Sequence, residues 1–215
     1  YILTVLDVPP YLNLAPYTYS VPQKYWCNPI MALTISNELT QLIGAFTSHH
    51  ERSGSLLTIP YDSQWPSPCY LKQGDEGELV PWEPKRQSDS QQSALSFKNV
   101  EEALDIKLNA DFCQFFTQFF SNNLPVVAEH GACELLQVWN EEDFERLQQN
   151  LIGHLLMKKR LKQAPTLFFA LTDEDDFVLS VLNSTGEVVL EQVGRPPKKV
   201  ISPSLLAFIA TLRAE

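Results

Sequence analysis

The sequence predicts an α+β domain whose sheet is mainly antiparallel, and three observations carry that prediction. Segments of helical period and segments of strand type are segregated along the chain rather than alternating one by one. The last three strand-like segments, TLFFAL, FVLSVLN and EVVLEQ, are separated by turns too short for a crossover helix. Of the 215 residues 44% are apolar and 20% charged, the balance of a globular chain long enough to bury a core without staples.

The elements follow in order. Thr34 is the N-cap of a first helix running to about Arg52 and stopped by Gly54, with Ile35, Leu39, Leu42, Ile43 and Phe46 as its apolar stripe. His49 and His50 near its end read as surface histidines. Pro66 and Pro68 keep the next segment extended, and KQGDEGE reads as a turn between short strands near 69–72 and 78–83. Residues 85–96, polar and rich in Ser and Gln, read as a mobile loop. Asn99 is expected to cap a short helix, VEEALDI. DFCQFFTQFF holds five phenylalanines, and a helix would bury most of them where a strand would expose alternate ones. PVVAE and CELLQVW form a hairpin around His130-Gly131. Asn140 caps a long helix, EEDFERLQQNLIGHLLMKKRL, whose acidic first turn and basic last turn both match the helix dipole. Its basic end, Lys158, Lys159, Arg160 and Lys162, is expected to face solvent. Ser184-Thr185-Gly186 joins the second late strand to the third. Ser202-Pro203 is expected to start a final helix to about Arg213.

Residues 1–30 differ from the rest, with five prolines and five tyrosines. The first basic residue is Lys24, and Asp7 and Pro9-Pro10 break the apolar part, so a secretory signal is not expected. Helical periodicity begins after Met31, the expected natural start, which leaves residues 31–215 as the domain.

The net charge of −10 argues against nucleic acid, whose binders neutralise phosphates with Lys and Arg. The acidity is uneven. Residues 61–145 hold 16 Asp and Glu against 5 Lys and Arg, while residues 146–215 hold 7 against 9. A basic partner would be drawn to such a middle segment. Cys27, Cys69, Cys113 and Cys133 form no CxxC pair and read as reduced packing thiols of a cytosolic protein. GxSxG, HExxH and GxxxxGK[ST] are absent, and neither EEDFE nor DEDD is arranged as a metal cage, so no cofactor, metal or small-molecule substrate is expected. A spatial pairing of Cys69, Cys113 or Cys133 with His154 or His130 leaves hydrolase chemistry as an alternative. On a helical wheel Gly153 lies opposite the core face of Phe144, Leu147, Leu151, Ile152 and Leu155. It is read as a point where another segment crosses closely. His154 falls on the flank beside Asn150 and reads as a hydrogen-bonded structural histidine.

Longer stretches then carry a resemblance. WNEEDFERLQQNLIGHLLMKKRLKQAPTLFFAL, which contains Asn150, Gly153 and His154, is similar to the central signature of the Syd family of SecY-interacting proteins. WPSPCYL, VPWEP, NVEEALDIKL and LNSTGEVVLEQVGRPPKKVISPSLLAFIATL match it in order, over about residues 31–215. The resemblance implies an α+β fold of the SUKH group and a non-enzymatic role. It implies a peripheral protein at the cytoplasmic side of the inner membrane, also soluble in the cytoplasm, that binds SecY and checks or restrains SecY that is free or poorly assembled. It further implies an electronegative concave surface. Asp62, Glu83, Glu101, Glu102, Asp105, Glu142 and Asp143 are the candidate charged residues, with Trp82 and Trp139 as aromatic anchors. Helix capping and core packing are the competing readings of these residues. An immunity-type module binding a toxin is the alternative within the same group.

Overall fold

The computed structural model describes residues 33–89 and 94–214, so the expectation for residues 1–30 lies outside the described residues. Helix α1 (Ile35–Ser53) is as the sequence predicts. The Thr34 hydroxyl accepts from the Asn37 amide, Gly54 takes φ +68° beyond the last turn, and the five stripe residues are all buried.

Strand β1 (Thr58–Pro60) pairs antiparallel with β2 (Leu79–Pro81) in a small ribbon. The expected partner of the second strand, residues 69–72, reaches it only through a bridge from Tyr70 to Trp82. The reason is the loop between them: Gly77 donates to the Tyr61 carbonyl and Tyr61 to the Glu78 carbonyl, which draws 58–60 onto 79–81. The mobile loop expected at 85–96 is also corrected over residues 85–89; residues 94–96 carry no helix or strand, and residues 90–93 lie outside the described residues. Lys85–Arg86 forms β3, followed by a 3-10 turn over Gln87–Asp89. Buried Gln87 donates its side-chain amide to the Phe116 and Phe119 carbonyls, which ties this stretch to the core.

Helix α2 (Lys98–Leu104) starts after Phe97, not at an Asn99 cap. The Phe97 ring packs against Phe112, Phe116 and Phe144, and that burial sets the start of the helix. The phenylalanine-rich run divides. Asn109 caps α3 (Ala110–Phe116), then Phe119–Phe120 extend as β4 and pair with β3. All five rings are buried, so the predicted burial holds while the uniform helix does not.

Strands β5 (Leu124–Ala128) and β6 (Gly131–Leu135) form the expected hairpin, with Gly131 at φ +132°. After α4 (Glu141–Arg160) come β7 (Thr166–Thr172), β8 (Phe177–Leu182), β9 (Val188–Gln192) and β10 (Lys199–Ser202), then α5 (Leu205–Ile209) and β11 (Arg213–Ala214). The order β10-β9-β8-β7-β6-β5-β11, with every pair antiparallel, makes one seven-stranded sheet. The final helix is shorter than expected and its cap is Ser204, whose side chain accepts from the Ala207 amide, while Ser202 ends β10. Phe169 of β7 meets Phe115 of α3 and Phe208 of α5, so the helices close over the sheet on one continuous core.

Candidate binding surface and a buried polar cluster

The start of α4 organises two neighbouring clefts. Asn140 accepts from the Asp143 amide at 2.8 Å, and Asp143 returns a carboxylate oxygen to the Trp139 amide at 2.9 Å. This reciprocal cap satisfies two backbone donors at once. The same Asn140 donates to the Pro66 carbonyl at 2.8 Å, and Ser67 donates to the Trp139 carbonyl. The Pro-rich loop is thus fastened to the helix start.

Between loop and helix lies a cleft of about 540 Å³ with Trp65, Tyr70 and Trp139 in its walls and Asp62, Arg146 and Asn150 among its polar residues. The Arg146 guanidinium stands 3.8 Å from the centre of the Trp65 ring. A second cleft of about 380 Å³ is lined by Pro66, Pro68, Phe120, Glu141 and Glu142.

The sequence-derived candidates divide among these places. Asp62, Trp139, Asp143 and Asn150 line the larger cleft, and Glu142 the second. Trp82 and Glu83 share a third cleft at the end of α1. Glu101, Glu102 and Asp105 belong to α2 and its C-terminal end and line none of the three. Several have local partners. Glu101 pairs with Lys107 at 2.8 Å and accepts from the Leu108 amide, which together hold its pKa below the ordinary carboxylate value. Glu102 lies 3.6 Å from Lys98, Glu142 3.9 Å from Arg146, and Glu83 pairs with Lys85. Trp82 and Trp139 are only 5% and 6% exposed and stack edge-on at 5.5 Å. Both rings thus belong to the core, each also lining a cleft.

Two readings of the signature stretch are overturned. A Cβ added at Gly153 would meet nothing within 4 Å among the described residues, so no described segment crosses there. Lys158 does not face solvent: it is 0% exposed, and its ammonium lies 2.7 Å from the Glu191 carboxylate, itself fully buried, and 3.1 Å from the Arg195 carbonyl. Thr166 and Ser180 donate to the other Glu191 oxygen at 3.0 and 3.1 Å. His154 is the structural histidine expected, with Nε2 2.9 Å from the Thr166 hydroxyl and 3.5 Å from Glu191. A carboxylate only accepts, so the Thr166 proton goes to Glu191 and the imidazole donates from Nε2. Burial holds the His154 pKa below its ordinary value, with Lys158 adding to the effect and Glu191 opposing it. The sequence carried a signal for part of this cluster. Lys158 falls seven residues after Leu151 and three after Leu155, on the core stripe. Glu191 lies in EVVLEQ, where alternation alone does not reveal a buried carboxylate.

Burial raises the thiols of Cys69, Cys113 and Cys133 to about 11, so each stays protonated near neutral pH and is a poor nucleophile. Among the described residues no three His, Cys, Asp or Glu side chains converge as a metal cage. Nor is any described helix long and apolar enough to cross a membrane.

A seven-stranded antiparallel sheet under helices, with two small two-stranded ribbons beside it and open clefts at the Pro-rich loop, defines this chain as an α+β domain. A family model described as Syd protein (SUKH-2) matches residues 36–214. The chain is 58% identical to a Protein Syd of Alteromonas mediterranea over 182 residues, 85% of this chain and 97% of that one. It is 47% identical to a Protein Syd of Pseudoalteromonas atlantica, over 83% and 95% of the two chains. A third, from Colwellia psychrerythraea, is 46% identical over 84% and 95%. The chain belongs to the Syd family.

Proposed function

We propose that this protein binds SecY, the channel subunit of the Sec translocase, at the cytoplasmic face of the inner membrane, and acts there as a check on free or poorly assembled SecY. Membership of the Syd family carries the reading. The charge pattern supports it. Cytoplasmic loops of membrane proteins are enriched in Lys and Arg, and residues 61–145 carry a surplus of eleven carboxylates. The association is one of binding without chemistry, in keeping with thiols held protonated by burial. Membrane attachment is through SecY, with the carboxylates of Asp62, Glu83, Glu101, Glu102, Asp105, Glu142 and Asp143 as the acidic surface. In this reading residues 31–215 form the functional unit.

Detergent-solubilised membranes containing SecY test the reading. The protein co-purifies with SecY, and recovery falls as salt rises, because exposed charges are screened beyond about 10 Å at 0.1 M ionic strength. Glu102→Lys with Asp105→Lys lowers recovery while the far-UV spectrum and melting temperature stay near wild type. Binding that is insensitive to salt and survives both reversals would refute the acidic-surface model, and absence of SecY from the eluate would refute the partner.

A further inference from the structure

Three exposed leucines come together on one side of the β1–β2 ribbon. Leu56 is 76% exposed, Leu71 51% and Leu79 63%. Leu56, Leu71 and Pro81 line a single cleft of about 310 Å³ at the C-terminal end of α1, floored by Trp82. Leu79 stands two residues before Pro81 on β2, so both project from the same side of the ribbon, opposite buried Val80. Leu71 donates its amide to the Pro81 carbonyl at 3.0 Å, which places it beside that strand. The result is a continuous apolar shelf. Clustered exposed apolar side chains of this kind mark interaction surfaces, whereas scattered ones do not.

The surrounding charge selects the occupant. Glu51 and Glu83 stand on the rim of the cleft. From Thr47 to Lys85 the chain carries six carboxylates against three cations, Arg52, Lys72 and Lys85, of which Lys85 pairs with Glu83. Lys72 is engaged by Glu78 at 2.8 Å, and Arg52 lines a different cleft, on the α5 side of α1. A second copy of this chain would bring the same acidic rim, and its net charge of −10, against the first. An anionic lipid surface would be repelled likewise. A polypeptide that combines leucine-type side chains with Lys or Arg meets both requirements: apolar groups for the shelf and cations for the rim.

We propose that the shelf of Leu56, Leu71, Leu79 and Pro81, rimmed by Glu51 and Glu83, docks a polypeptide segment carrying leucine-type side chains next to basic ones. The shelf is separate from the clefts at the start of α4; it shares Glu83 with the acidic surface assigned above, and the peptide titration below reads it without SecY.

The test is titration of the full-length protein with a short amphipathic peptide of leucine and lysine, followed by leucine-methyl NMR. The methyl signals of Leu56, Leu71 and Leu79 shift together, and the affinity falls roughly tenfold in Leu71→Ser and in Leu79→Ser, the loss of about 1.4 kcal/mol of apolar contact. Both side chains are exposed, so folding is preserved, and the methyl map of the wild-type protein needs no variant. A serine–lysine peptide of equal charge binds weakly, as does a leucine–glutamate peptide. No binding, shifts confined to other leucines, or affinity unchanged in both variants would overturn the shelf. Equal binding of the serine–lysine peptide would remove the apolar half of the proposal, and equal binding of the leucine–glutamate peptide the charge half.

Discussion

Gly153 and Lys158 lie five residues apart on one helix and depart from expectation in opposite senses. Gly153 is exposed in the middle of α4, and no described residue lies within 4 Å of where a Cβ would stand. Its cost to the helix is therefore uncompensated by packing, and Gly153→Ala should stabilise the protein by about 1 kcal/mol. For a chain of this size that is a rise of about 2–4 °C in melting temperature, measurable by calorimetry. Lys158 sits on the same helix with no exposure at all. Lys158→Met removes the cation and leaves Glu191 as an uncompensated buried charge, a loss of about 3–5 kcal/mol. Adding Glu191→Gln keeps an acceptor for Thr166 and Ser180 and removes the charge, so the double variant should recover most of that loss in urea denaturation. A double variant no more stable than the single one would show that the ion pair is not the source of the effect.

At the scale of elements, α4 couples the cleft to the polar cluster, since its first turn frames the large cleft and its last turns hold the cluster. Asn140→Ala removes both the acceptor for Asp143 and the donor to Pro66, so helix end and loop loosen together. A loss of about 1–2 kcal/mol is expected, together with quenched Trp65 and Trp139 fluorescence as water enters the cleft. Elements with both a cap and a full stripe were legible in the sequence. Thr34 with Ile35 to Phe46, and Asn140 with Phe144 to Leu155, state their boundaries locally. The β5–β6 hairpin and the three late strands were legible through short turns and β-branched runs. What escaped depended on distant partners. Thr58–Pro60 is a strand only because Leu79–Pro81 lies beside it, and Lys85–Arg86 only because Phe119–Phe120 does. Phe97 outweighs Asn99 at the head of α2 through rings contributed by α3 and α4. The candidate carboxylates were legible as charge, but their division among clefts and α2 is a property of the tertiary fold.

For the whole molecule, His154 links stability to pH. Its folded pKa is held below the ordinary 6.5, chiefly by burial. As pH falls through that value the unfolded chain takes up a proton that the folded imidazole refuses, so stability is full above it and is lost as pH drops toward the folded pKa. Melting temperatures recorded from about pH 7.5 to about pH 5 should fall, and His154→Gln should flatten that part of the profile. An unchanged slope would place the pH sensitivity elsewhere. The sheet protects its own margins: β11 has two residues, and β10 is short, bulged between Val200 and Ser202 and preceded by Pro196, Pro197 and Lys198. Association by strand addition is thus discouraged, which leaves side-chain surfaces to receive partners. Inside the sheet, the Glu191 carboxylate has a further consequence for how the chain assembles. If the hairpin of β8 and β9 closed two residues out of step, Val189 or Val193 would stand where Glu191 stands, and the Lys158 ammonium would be sealed in without a counter-charge. One carboxylate thus acts as a proofreading mark, making the misaligned hairpin the costlier product and letting the correctly aligned one be sealed beneath the helix.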